Sequence, residues 1–131
     1  MALWQFDFNI LLSKQIRCDS LMGDIEDIFG PIFDKSKSHI DFGSYETDRC
    51  TVYITGDFIN DIECRLDLRT ISAQKISELL KLVKKHDLKI SVVEEEIVEE
   101  NEFLERINTS TSMKFVKEGN AFFEKINHTE Q

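Results

Sequence analysis

Apolar side chains occupy every second position near the start of the chain, from Trp4 to Leu12. Because successive side chains of a strand point to opposite faces, this alternation predicts a strand with one buried, mostly aromatic face. From Asp19 the hydrophobic period becomes that of a helix. We expect Asp19 or Ser20 to cap this helix and the Gly30-Pro31 pair to end or kink it. Its apolar stripe comprises Leu21, Met22, Ile25, Ile28, Phe29 and Ile32.

Three more strands are predicted in the middle of the chain, around residues 40–45, 50–54 and 62–69. In the last of them, four apolar residues alternate with charged residues of both signs. This pattern is typical of a sheet face that is solvated or lies beside a partner. The short turns between the strands, one of them at Thr47-Asp48, indicate an antiparallel meander. The inward residues of the last strand are Ile62, Cys64, Leu66 and Leu68.

A second helix is predicted to begin after Ser72, its N-cap, while Ile71 and Ile76 occupy the positions of a hydrophobic staple. Alternating apolar residues then predict a strand over residues 88–92. The buried stripe of the helix is expected to comprise Ile76, Leu79, Leu80 and Val83. The less regular C-terminal part is expected to form, in order, a helix over 103–107, a strand near 113–116 and a helix near 122–126.

This order of elements predicts an α+β fold in which residues 1–131 form a single domain. An antiparallel β-meander sheet is expected to be covered on one face by two main helices, with a C-terminal α/β extension. The core is expected to include a split β-α-β unit of the ferredoxin-like kind. No internal repeat, low-complexity tract or linker divides the chain.

The chain is acidic, with 25 Asp and Glu against 16 Lys and Arg and a formal net charge of −9. Nucleic acids and anionic lipids are bound through dense basic contacts, so we expect neither a nucleic acid nor a membrane as partner. The amino-terminal stretch lacks a basic start and carries Asp7 within its apolar run, so it does not match a signal peptide. A cytoplasmic location is expected, with Cys50 and Cys64 as buried, reduced thiols.

Motifs that would identify an enzyme or a cofactor site are missing from the sequence. No Gly-rich phosphate loop occurs, and Asp41-Phe42-Gly43 stands without the other parts of a kinase. The stretch from Asp57 to Glu63 is acidic, but it lacks the Asp-x-Asp-x-Asp-Gly spacing and the distal bidentate glutamate of a calcium-binding loop. We therefore expect no catalytic residue, no metal and no cofactor.

An acidic cluster is the most conspicuous feature, because seven glutamates fall within the twelve residues Glu94–Glu105. It is either a solvated surface or a surface for a cationic partner, which would relieve the repulsion between the carboxylates and bind faster through electrostatic steering. In the second interpretation Phe103, with Tyr45 or Tyr53, is an apolar anchor of the interface. The expected contacts are Glu94, Glu95, Glu96, Glu99, Glu100, Glu102 and Phe103, with Asp57, Asp61, Glu63 and Asp67 as a second acidic patch.

Three features define the layout of the chain: an aromatic first strand with Trp4, Phe6 and Phe8, a charged strand ending in Asp67-Leu68-Arg69, and the helix after Ser72. With its small size and acidity, this layout resembles bacterial immunity proteins of contact-dependent and other polymorphic toxin systems. The resemblance implies a tight one-to-one complex with a cognate toxin domain, often a basic nuclease, whose active site is blocked by acidic residues. It implies a binding protein and not an enzyme.

Two other functions remain open. One is a regulatory or self-associating interaction module that uses an exposed sheet edge, so the chain would be a monomer or a weak dimer. The other is a small enzyme whose site is assembled around His39 with Asp or Glu side chains.

Overall fold

The computed structural model describes residues 5–92 and 96–110. Within them the chain forms an α+β fold, as predicted. No helix of this part of the chain is long and apolar enough to cross a membrane. The elements are β1 (Gln5–Leu12), α1 (Cys18–Phe29), β2 (Ile32–Lys35), β3 (His39–Gly43), β4 (Arg49–Thr55), β5 (Phe58–Asp67), α2 (Ala73–Lys85), β6 (Leu88–Val92), β7 (Glu96–Val98) and α3 (Glu100–Thr109).

The strands form one antiparallel sheet with the order β2-β3-β4-β5-β1-β6-β7. The predicted meander is present as β3, β4 and β5, with β2 added at its outer edge. Because β1 lies between β5 and β6 and is antiparallel to both, β5 and β6 are parallel to each other. The helix α2 connects them, so β5, α2 and β6 are the split β-α-β unit expected from the sequence.

The sheet has an apolar face that packs against the helices and a polar face that we call the open face. Residues paired across antiparallel strands lie on the same face. One apolar row crosses four strands through Phe42, Cys50, Cys64 and Phe8. This row is buried in one core with the apolar stripes of all three helices. The open face, which no helix of the described chain covers, includes Asp7, Asn9, His39, Asp41, Thr51, Tyr53, Asp61, Glu63 and Arg65.

The strand β2 is not predicted by the sequence pattern, which assigns Ile32 to the first helix. In the structure α1 ends at Phe29, and Ile32 pairs with Phe42 in the sheet. Gly30 has a φ of 110°, which other residues rarely adopt, and Pro31 has no N–H group to continue a helix. Because β2 has four exposed residues and an irregular register, it lacks the alternation that would reveal a strand.

The two predicted helix starts have different outcomes. Ser72 caps α2 as predicted, since its Oγ accepts a hydrogen bond from the N–H of Lys75 at 3.1 Å. The prediction that Asp19 or Ser20 caps the first helix is wrong. Arg17 is the N-cap residue of α1 and makes no side-chain capping bond, and both predicted caps lie inside the helix.

The C-terminal extension is described as far as Ser110. The helix α3 confirms the predicted helix over 103–107 and adds a third helix to the covered face. The short strand β7 was not expected from the sequence. The predicted strand near 113–116 and the predicted helix near 122–126 lie outside the described residues.

Candidate functional site

The described part of the acidic cluster lies on β7 and α3, while Glu94 and Glu95 lie outside the described residues. Arg106 contacts two of its carboxylates, Glu96 at 2.6 Å and Glu102 at 3.6 Å. Three further carboxylates are exposed and form no ion pair within residues 5–92 and 96–110. These are Glu99, Glu100 and Glu105.

The prediction that Phe103 is a surface anchor is wrong, because its side chain is fully buried. Its ring packs edge-on against Phe8 and Phe6, with ring centroids 5.0 and 6.1 Å away. Phe103 and Ile107 lie one turn apart on the side of α3 that faces the sheet, and both are buried. The same helix that displays the glutamates therefore anchors the C-terminal extension to the core.

An apolar groove of about 430 Å³ lies between α2 and α3, and we call it the α2–α3 groove. Leu80 lines one side and Leu104, which keeps 37% of its surface exposed, lines the other. Among the described residues, the one charged residue that lines it is Glu100. Leu80 was predicted to be buried in the helix stripe, but Leu82 is buried there and Leu80 is only partly covered.

The second acidic patch does not form one surface. Asp57 is exposed in the turn between β4 and β5, with Arg17 3.9 Å away. Asp61 and Glu63 lie on the open face beside Tyr53, whose hydroxyl donates to Glu63 at 3.1 Å. Since α3 packs on the other face of the sheet, the acidic cluster and these open-face carboxylates point away from each other.

Asp67 is buried, so its assignment to an acidic surface patch is wrong. It ends β5, and its carboxylate accepts hydrogen bonds from the backbone N–H, Nε and Nη2 of Arg69 at 2.9–3.0 Å. Burial alone would raise the pKa of Asp67, but the hydrogen bonds from Arg69 outweigh it and leave the pKa below its ordinary value. Strand alternation does not reveal this arrangement, because the side chain bonds to the turn that follows the strand.

We expect Asp67→Asn to lower the free energy of unfolding by about 1 kcal/mol at neutral pH, because the half-exposed Arg69 is partly screened by solvent. The pKa of Asp67 is lower in the folded chain than in the unfolded chain. The contribution of the ionised Asp67 to the free energy of unfolding is therefore complete above the unfolded-state pKa of about 3.9. It is lost as the pH falls through the folded-state pKa. Urea unfolding at neutral pH and near pH 3 should show a difference that shrinks in acid. If the difference in the free energy of unfolding between the wild type and Asp67→Asn were the same at both pH values, it would not come from the ionised carboxylate. The exposed control Asp57→Asn should have little effect on stability at either pH.

The two tyrosines considered as anchors lie away from the acidic cluster. Tyr45, 58% exposed, packs edge-on against Phe33 with ring centroids 4.6 Å apart, and the guanidinium of Arg49 lies 5.6 Å from its ring. It follows β3, near the β2 end of the sheet, whereas β7 forms the opposite edge. Tyr53 lies on the open face. Neither tyrosine can anchor a partner that binds α3.

His86 closes α2 and holds it against α1. Its Nε2 lies 3.0 Å from Oδ2 of Asp24, and Nζ of Lys85 lies 3.1 Å from the same oxygen. The hydrogen bonds from His86 and Lys85 lower the pKa of Asp24. This contact joins two helices of the covered face and gives His86 a structural role.

His39 lies at the start of β3, with Nδ1 2.8 Å from Oγ of Ser36 and Nε2 3.3 Å from Oδ2 of Asp34. The order of serine, histidine and carboxylate is that of a nucleophilic triad. However, Oγ of Ser36 also accepts the backbone N–H groups of Ser38 and His39, at 3.1 and 3.2 Å. These bonds close the β2–β3 turn. The hydroxyl oxygen of Ser36 therefore has a structural role in that turn.

No protein-family model matches the chain, and neither a curated protein nor a solved structure is significantly similar to it. The function is therefore proposed from the geometry of the α2–α3 groove and from the glutamates on and beside α3.

Proposed function

We propose that this chain is a non-catalytic immunity-type protein that binds and blocks a basic, nuclease-like toxin domain through α3. One observation carries the proposal: the α2–α3 groove is apolar, and Glu100 is the one charged residue among its described lining residues. Glu99 and Glu105, exposed and without an ion pair in the described part of the chain, lie on or beside the same helix. An apolar centre with an acidic rim complements a partner segment that presents an apolar side chain among lysines or arginines.

The charge arrangement explains why the partner would be basic. Glu99, Glu100 and Glu105 are exposed and lack a cation within the described residues. Their mutual repulsion falls when a cationic surface approaches, and the acidic field steers that surface during encounter. A basic nuclease domain has such a surface, because its own active site must hold phosphates.

The groove supplies the apolar contact that Phe103 does not. Leu80 and Leu104 border a volume of about 430 Å³, enough for one or two large side chains. Because interface energy is concentrated in a few desolvated contacts, we expect the groove to contribute affinity and the glutamates to contribute association rate and selectivity.

A cytoplasmic location is part of the proposal and is supported by the cysteines. Cys50 and Cys64 lie opposite each other in the sheet as free, buried thiols, with Sγ atoms 3.7 Å apart. Burial raises the pKa of Cys64, which keeps this thiol protonated and unreactive. Free thiols are usual in a reducing compartment.

Self-association through a sheet edge is supported less well. The β2 edge follows Pro31, contains a register irregularity between Ile32 and Asp34 and ends at Lys35. Short length, irregular register, proline and lysine are the features by which sheets resist edge pairing. The β2 edge therefore favours a different protein as partner over a second copy of this chain.

Charge reversal tests the proposal. Wild-type chain and the triple variant Glu99→Lys, Glu100→Lys, Glu105→Lys are used to capture proteins from lysate of the native organism at low salt. The captured basic protein is then expressed alone and with each chain. We expect it to be toxic alone, to be neutralised by the wild type, and to bind the variant at least about tenfold more weakly.

The matched control carries the same charge change on other surfaces: Asp57→Lys, Asp61→Lys and Glu63→Lys. It should bind and neutralise like the wild type. Leu104→Asp, which changes an exposed side chain, tests the groove separately and should also weaken binding. Equal neutralisation by the wild type and the α3 variant would overturn the proposal, as would a captured protein that has no toxicity.

A further inference from the structure

Three side chains of β2 and β3 converge on one point at the outer part of the open face: Asp34, His39 and Asp41. We propose that they bind a divalent transition-metal cation of the zinc class. This site is separate from the α2–α3 groove and does not depend on the proposed function. The proposal rests on the spacing of the three groups, on the bonds that orient them and on a buried carboxylate oxygen.

The spacing suits a small cation. Nε2 of His39 lies 3.3 Å from Oδ2 of Asp34 and 3.7 Å from Oδ2 of Asp41, and each of the three side chains offers one ligand atom within 4.8 Å of the other two. Ligands about 2.0–2.2 Å from a tetrahedral ion are about 3.3–3.6 Å apart. The strands produce this arrangement directly, because Asp34 pairs with Asp41 and His39 is two residues before Asp41 on the same face.

Each of the three groups is oriented by a bond through its other polar atom. Nδ1 of His39 lies 2.8 Å from Oγ of Ser36, which directs Nε2 toward the carboxylates. Oδ1 of Asp41 accepts the hydroxyl of Thr51, and Oδ1 of Asp34 accepts the N–H of Lys35 at 3.0 Å. Metal ligands are typically oriented by such supporting hydrogen bonds through their second polar atom.

The second oxygen of Asp41 is an independent indication of a ligand. The Asp41 side chain is only 7% exposed, and its Oδ2 has no donor within hydrogen-bond distance among the described residues. Within residues 5–92 and 96–110, the one ion-pair contact of this oxygen is with Nε2 of His39, at 3.7 Å. A buried carboxylate oxygen without a donor is costly, and a cation between the three groups would satisfy it.

The donor set selects the class of cation. One imidazole nitrogen and two carboxylate oxygens suit zinc and its first-row neighbours, whereas calcium and magnesium prefer all-oxygen sites with more ligands. Three protein ligands leave a fourth tetrahedral position for water or for a group from a partner. The site is therefore open, and not a closed structural site of four protein ligands.

Titration of the full-length, chelator-treated protein with zinc chloride, followed by calorimetry, tests this site. We expect one equivalent of zinc to bind and magnesium to give no heat. His39→Gln and Asp34→Asn should each weaken zinc binding at least about 100-fold. Loss of a hydrogen bond that only orients a ligand already lowers metal affinity about 10–100-fold, and these variants remove a ligand itself. Asp34 is exposed, so Asp34→Asn keeps the test informative if His39→Gln fails to fold.

The matched control is His86→Gln, which removes a histidine that faces one carboxylate and a lysine instead of two carboxylates. It should bind zinc like the wild type. Cobalt absorption provides a second readout, because loss of the ligating imidazole should change the spectrum in the His39→Gln protein and not in the His86→Gln protein. The proposal is overturned if the wild type binds no zinc, or if the Asp34 and His39 variants bind zinc as tightly as the wild type.

Discussion

Replacing Phe103 with alanine should lower the free energy of unfolding by about 3–5 kcal/mol, the usual cost of deleting a large buried aromatic side chain. The ring is fully buried and packs edge-on against Phe6 and Phe8 of β1. Its loss would leave a cavity between α3 and the sheet and also remove the aromatic pair interactions. Urea unfolding monitored by circular dichroism measures this change.

The neighbouring residue provides the matched control. Leu104 is 37% exposed in the same helix, so Leu104→Ala should lower the free energy of unfolding clearly less than Phe103→Ala does. Alanine and leucine differ little in helix propensity, so the helix itself is little affected. If Phe103→Ala leaves stability unchanged and weakens partner binding instead, then Phe103 is a surface anchor and does not pack in the core between α3 and β1.

Asp48→Ala is expected to have the next largest effect, a loss of about 3 kcal/mol in the free energy of unfolding. Asp48 is buried in the loop between β3 and β4. Its Oδ1 accepts the backbone N–H of Asp67 at 2.7 Å, and its Oδ2 accepts a hydrogen bond from Nζ of Lys75. The substitution leaves a buried N–H without an acceptor and a partly buried ammonium without its partner, and both losses are costly.

Lys75→Met separates these two losses. It keeps the aliphatic stem and removes only the ion pair, so it should cost less than Asp48→Ala. The exposed turn residue Asp57 serves as the control, since the free energy of unfolding of Asp57→Ala should be within about 0.5 kcal/mol of the wild-type value. Equal stabilities of the Asp48→Ala and Asp57→Ala proteins, measured by urea unfolding, would show that Asp48 does not join the loop to β5 and α2.

Elements with a regular local pattern were predicted correctly. The alternation before Leu12 and over 62–68 identifies β1 and β5, and the Ser72 cap identifies the start of α2. In each case neighbouring residues carry the signal, because burial of one face imposes a period of two or of 3.6 residues on the sequence. The α+β class follows from the order of these elements.

Elements and residues that lack such a pattern were missed or misassigned. The exposed strand β2 has no buried face, so no period marks it. The acidic sequence neighbours of Phe103 predict a surface position for it, although a helix separates adjacent residues onto different sides. Asp67 was placed at a surface by alternation, but its carboxylate bonds to the turn after β5.

The candidate sites were predicted only in part. The acidic cluster was visible in the sequence because its glutamates are close together along the chain, and its described members are exposed or half-exposed. The α2–α3 groove was not visible, because Leu80 and Leu104 come together only when two helices pack side by side. His39 was singled out, but its carboxylate partners follow from the pairing of β2 with β3.

The sequence by itself determined the α+β class, the meander, the N-cap at Ser72 and the acidity of the C-terminal region. These properties depend on local periodicity and on charge, which can be read along the chain. Only the tertiary structure decided that β1 lies between β5 and β6, that Phe103 joins the core and that Asp34, His39 and Asp41 meet. Such properties depend on contacts between segments distant in sequence, and the favourable energy of those contacts leaves no regular pattern in either segment alone.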